Sequence, residues 1–154
     1  GCRYASFERI AALKTSIDFS FDQGTDGWLA LNDIENLTAR NGFLSGEVSG
    51  NDPYMIRSFL KVDGDKEKQV EIKLKLASRS IGQLYWTTEN SPDVREDKVA
   101  SFEIQGGSQV ETIRVDLAHH PHWKGQTITS IRLDSCNGLG QGSFEIDSIR
   151  AIKD

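Results

Sequence analysis

Between Ile17 and Ile152 the chain alternates apolar and polar residues in short runs, a period of two that only extended strands can use. In the first run, IDFSFD (17–22), Ile17, Phe19 and Phe21 share one side, while Asp18, Ser20 and Asp22 share the other. Similar runs follow at 34–40, 43–49, 54–58, 70–77, 81–89, 98–104, 110–117, 127–135 and 143–152. The breaks between them contain NG, GNDP, DGD, SPD, GG and CNGLGQG, which is turn chemistry. Ten such strands with no helical run between them exclude a parallel βαβ sheet. The expected class is all-β, an antiparallel two-sheet sandwich of jelly-roll type.

A chain of 154 residues with 37% hydrophobic positions can bury one core, which assigns residues 17–154 to a single domain. Residues 1–16 read as a leader or linker, because YASFERIAALK (4–14) spaces Phe7, Ile10, Ala11 and Leu13 as a short helix would. The net charge of −5 argues against general attraction to nucleic acid. No apolar run approaches the roughly 18 residues of a membrane span. Cys2 and Cys136 offer neither a disulfide framework nor metal-ligand spacing. Gly1 followed by Cys2 reads either as a processed lipoprotein start, with lipid on Cys2, or as a boundary inside a longer protein.

The segments FSFDQGTDGW, GFLSGEVSGNDPY, LYWTTE with KVASFEI, VDLAHHPHWKG, IRLDS and FEIDSIRAI follow one another from Phe19 to Ile152. In this order they resemble the jelly-roll carbohydrate-binding modules of the galactose-binding-like superfold, which are appended to bacterial carbohydrate-active enzymes. The resemblance implies a non-catalytic module for a polysaccharide or oligosaccharide, extracellular or at the cell surface, and covalently joined to other domains. It also implies a structural calcium between first and last strands, with Asp18 and Asp147 as the carboxylates that match by position.

Sugar recognition combines a flat apolar surface for the C–H face with polar partners for the hydroxyls. Tyr85, Trp86, Trp123, Tyr54 and Trp28 are the candidate platforms. Alternation puts Leu84 and Trp86 in the core and turns Gln83 and Tyr85 outward. Trp28 reads as a plug at one end of the sandwich, and Trp123, in a polar loop, reads equally as a ligand contact or a loop anchor. With Ile131 and Leu133 inward, Arg132 and Asp134 project outward, as a grip on vicinal hydroxyls or as a surface ion pair. Asn51 and Asp52 in the GNDPY turn suit capping or hydroxyl recognition. Lys73, Lys75 and Arg57 would make the same face basic if their strands share its sheet, which would favour an acidic glycan. The alternatives are a small polysaccharide lyase using Tyr85, Arg132, Gln83 and His122, and a structural or adhesion domain. No nucleophile elbow, P-loop or assignable carboxylate pair is present.

Overall fold

The computed structural model describes residues 12–135 and 141–152. The chain forms twelve strands: β1 (Asp18–Phe19), β2 (Trp28–Asn32), β3 (Ile34–Arg40), β4 (Phe43–Val48), β5 (Tyr54–Arg57), β6 (Val62–Asp63), β7 (Gln69–Leu76), β8 (Ser80–Thr88), β9 (Val99–Ile104), β10 (Glu111–Asp116), β11 (Thr127–Asp134) and β12 (Gly142–Ile152). One sheet has the order β10-β7-β12-β4-β3, the other β2-β5-β11-β8-β9. All strand pairings are antiparallel, and the two sheets form the expected sandwich.

Two long strands span each sheet by taking successive short partners on one side. β12 pairs with β4 through residues 142–146 and with β1 at Ile149 and Arg150. β11 pairs with β6 at Thr127 and Ile128 and with β5 from Ile131 to Leu133. The core lies between the sheets: Val70, Ile72, Leu74 and Leu76 of β7 face Met55, Leu84, Trp86, Ile131 and Leu133 of the other sheet. Alternation along β7 is complete, with every second side chain buried.

The β3–β4 hairpin closes through Asn41 and Gly42 with φ of 55° and 78°, the left-handed pair that a two-residue primed turn needs. Gly82 on β8 stands opposite Phe102 on β9, whose ring fills the place where a Cβ would go.

Strands β2 and β6 were not expected. WLAL carries no alternation, and β2 is an edge strand with Leu29 and Leu31 more than half exposed. β6 is two residues long, held by β11. The proposed helix at 4–14 lies mostly outside the described residues, as do Cys2 and Cys136. Inside them, Lys14 makes a parallel bridge to Leu60, and the Lys14 N–H donates to the Phe59 carbonyl. The structured chain therefore begins before Ile17.

Arg57 was expected to point outward and is instead fully buried. Its strand sets Met55 and Arg57 inward, in register with Ile131 and Trp28. The guanidinium donates to the carbonyls of Asp26 (2.6 Å), Ala12 (2.7 Å) and Ser58, with its carbon 5.5 Å from the Phe19 ring. A buried charge survives only when such partners replace its water. Here they tie the leader and the turn before β2 to β5.

Candidate functional site

The outer face of the β2-β5-β11-β8-β9 sheet carries the densest group of the residues expected to bind. Register places them in two rows. Arg132 on β11 stands between Ile56 of β5 and Tyr85 of β8, with Leu29 and Val99 completing the row on the edge strands. The neighbouring row contains Asn32, Tyr54, Asp134, Gln83 and Ser101.

At the centre, the Arg132 guanidinium carbon lies 3.6 Å from the Tyr54 ring centroid and 4.8 Å from that of Tyr85. Nε and Nη2 of Arg132 donate to the two carboxylate oxygens of Asp134 at 2.9 and 2.8 Å. Such a fork fixes the plane of the guanidinium, and the two rings hold its faces. Asp134 is buried, and Arg132 is partly exposed. Burial pushes Asp134 above the usual carboxylate range, outweighing the pull of Arg132. For Arg132 burial works downward, but the hydrogen bond and charge of Asp134 win, so its net shift is upward. The guanidinium and the carboxylate face each other at 2.8 Å, so the charge of Arg132 is matched locally.

The Tyr85 hydroxyl lies 3.3 Å from both Glu96 carboxylate oxygens and 3.4 Å from the Gln83 amide oxygen. Burial first, then Glu96, raise its pKa, so the phenol keeps its proton and donates. Tyr85 is only 6% exposed, and its ring is partly covered by Arg132. It supports the platform instead of forming it. Tyr54, partly exposed, is the candidate platform whose aromatic surface solvent reaches, and its outward position in YMIRS is the signal in the sequence that marks it. Asp52 lies beside it: its carbonyl accepts from the Asn32 side chain at 2.8 Å, and its N–H donates to Asp33 at 3.1 Å. Asn51 and Asp52 are exposed at this end of the face.

Three expected contributors fall elsewhere. Trp123 is fully buried, edge-on to Trp86 at 5.2 Å, and its indole N–H reaches the carbonyls of Glu67 (2.9 Å) and Gly64 (3.1 Å). It anchors its loop and has no surface to offer a ligand. Lys73 and Lys75 point outward as expected, but from the opposite sheet, where Lys73 lies 3.8 Å from Glu71 and Lys75 3.9 Å from Glu145. The charged groups around Arg132 include Asp52, Glu96 and Asp134, with Glu103 further along the outward side of β9, so the described part of this face is not basic.

Of the carboxylates expected to hold calcium, Asp18 stands opposite Arg150 and pairs with it at 3.1 Å, and Asp147 lies three residues before Arg150 on β12. Among the described residues no group of three His, Cys, Asp or Glu gathers to hold a metal.

No protein-family model matches the chain, and no curated protein matches it in sequence. Its architecture is shared with solved structures. A family 28 carbohydrate-binding module specific for non-crystalline cellulose superposes with a TM-score of 0.64 at 14% identity, over 91% of this chain and 93% of that one. A family 11 module from Clostridium thermocellum, solved with a β-1,3-1,4-mixed-linked tetrasaccharide, gives 0.51 at 17% identity, over 88% and 87%. An exo-β-agarase gives 0.62 at 16% identity, over 91% of this chain and 25% of the enzyme. The fold is that of the jelly-roll carbohydrate-binding modules. Within it, the described residues include no helix long and apolar enough to cross a membrane.

Proposed function

We propose that this protein is a non-catalytic carbohydrate-binding module whose site is the outer face around Arg132. The observation that carries the reading is the Tyr54–Arg132–Tyr85 stack locked by Asp134, a preorganised donor group set in a shallow apolar row of Leu29, Ile56 and Val99. The C–H face of a pyranose packs on Tyr54 and Ile56; its hydroxyls accept from Arg132 N–H groups beyond the two given to Asp134 and donate to the Asp52 carboxylate, with the Gln83 amide beside them. With Arg132 matched by Asp134 and no lysine among the described residues that pair beside it on β2, β5, β8 and β9, the ligand is a neutral polysaccharide, not an acidic one. One module of this fold belongs to a cellulosomal cellulase, and the match to the exo-β-agarase covers a quarter of that enzyme; a setting outside the cell and joined to other domains is proposed here as well.

Catalysis by a lyase route would need Tyr85 as a base with a lowered pKa. Its phenol is shifted the other way and is already a donor to Glu96.

The test is affinity electrophoresis through non-crystalline cellulose derivatives, mixed-linked β-glucan and agarose, with polymer length measured afterwards. Arg132→Ala alone would strand the buried Asp134 carboxylate and destabilise the fold. The informative variants are Tyr54→Ala and the paired Arg132→Gln, Asp134→Asn, each expected to cost about 1–3 kcal/mol of affinity. Retardation should change little with added salt. Undiminished binding by both variants would remove this face as the site, and shortened polymer would overturn the non-catalytic reading.

A further inference from the structure

A second hollow in the described surface lies away from Arg132. It is a groove of about 600 Å³ on the other sheet, formed where the β3–β4 hairpin meets the first half of β12. That volume falls in the range of small-ligand clefts, about 300–1,000 Å³. Its wall chemistry resembles that of the Arg132 face without repeating a residue type pattern. Phe43 gives a half-exposed aromatic surface, Thr38, Ser45 and Ser143 give hydroxyls, and Arg40 stands opposite Phe43 in the β3–β4 register.

The groove owes its shape to a bulge in β3 between Glu35 and Thr38. Asn36 there adopts φ of 56°, a left-handed conformation that Asn tolerates better than most residues. The bulge turns the Asn36 amide toward the exposed Glu47, whose carboxylate accepts at 3.0 Å. Bulges re-aim side chains in this way and are enriched beside binding sites. Glu145 on the far wall is partnered by Lys75. The groove lining sets one cation, Arg40, against the carboxylates Glu47 and Glu145, so it has no cationic cluster for a phosphate or sulfate. It does have an aromatic surface ringed by an amide, a carboxylate, a guanidinium and hydroxyls.

We propose that this groove is a second glycan-binding site, for a segment of neutral oligosaccharide, on the face of the sandwich opposite Arg132. Phe43 is the stacking surface, and Asn36, Glu47 and Arg40 are the hydroxyl partners. The two sites share no residue, so either can fail without the other. With both working, one molecule holds two glycan segments at once and gains by effective concentration what each site lacks in affinity.

The test is a titration of ¹⁵N-labelled protein with neutral hexasaccharides of cellulose, mixed-linked β-glucan, xylan, mannan and agarose, each to about 10 mM, enough to reveal a millimolar site. At least one sugar should move the amides of Phe43, Ser45, Glu47 and Glu145 saturably, and those shifts should persist in Tyr54→Ala. The double variant Phe43→Ala, Glu47→Gln should weaken them by at least about tenfold. Ser45→Arg, which fills the groove from an outward position, should do the same and guards against misfolding of the first variant. Shifts confined to the Tyr54, Gln83, Tyr85 and Arg132 region would overturn the second site. So would groove shifts that both variants leave intact, or an absence of groove shifts with every sugar.

Discussion

Trp123 and Arg57 occupy places that their own neighbours in sequence do not announce. HHPHWKG is a polar loop from which a tryptophan can point either way, and the partners that decide it, Gly64 and Glu67, lie 59 and 56 residues away. Trp123→Phe should leave those carbonyls without their donor and cost about 1–3 kcal/mol in denaturant unfolding, with glycan affinity unchanged. A loss of affinity without loss of stability would return Trp123 to the binding site. Arg57 was legible in principle, because strict alternation along YMIRS turns it inward with Met55, yet an arginine is ordinarily an exposed residue. What outweighs that preference is a set of backbone carbonyls supplied by distant segments. His120 packs edge-on to Trp86 at 4.7 Å, and its Nδ1 accepts from the His122 N–H at 3.1 Å. Protonation would remove that acceptor. Burial first, and His122 second, hold its folded pKa below the unfolded value of about 6.5. The neutral form thus contributes stability that is full above that value and is lost as pH falls toward the folded pKa. The melting temperature should drop between pH 7 and 5, and His120→Gln should flatten that drop; an equal slope in the variant would show that other groups cause it.

Elements with a strong local signal were readable, and elements defined by a partner were not. The β3–β4 hairpin is written in FLSGEVS and in the NG that closes it. β7 shows its alternation in VEIKLKL without help from context. By contrast β2 exists because β5 pairs with it, and β6 because β11 does. The same dependence governs the start of the fold. Glu67, buried, accepts from the Ile17 N–H at 2.7 Å and the Ser16 hydroxyl at 3.1 Å, while Ala12 and Lys14 are held by Arg57 and by the Phe59–Lys61 segment. Truncation through residue 14 should therefore be less stable than truncation through residue 11, by about 1–3 kcal/mol, since it leaves Arg57 short of a buried acceptor. Coincident denaturation curves for the two truncations would show that this clamp contributes nothing.

For the molecule as a whole, alternation tells which side of a strand a residue takes, but not which sheet the strand joins. Tyr85, Arg132, Asp134 and Gln83 were grouped correctly because β8 and β11 are neighbours. Lys73 and Lys75 take the expected side of their strand, but the condition that this strand shares the sheet of Arg132 is not met, since strand order is a property of pairings far apart in sequence. The jelly roll itself was accessible from the number of strands and the chemistry of their turns. One pairing in that roll has a mechanical consequence. Ala151 donates to the Ile17 carbonyl at 2.8 Å, so the chain comes into the sandwich and leaves it side by side. A pull applied at Ala12 and Ile152 first meets the hydrogen bonds that hold Ala12 to Arg57 and Lys14 to the Phe59–Lys61 segment, and only behind that clamp does it peel β1 from β12 one bond at a time. If other domains are joined on both sides, as proposed, tension between them is carried by the clamp and the β1–β12 seam instead of along the length of the sandwich.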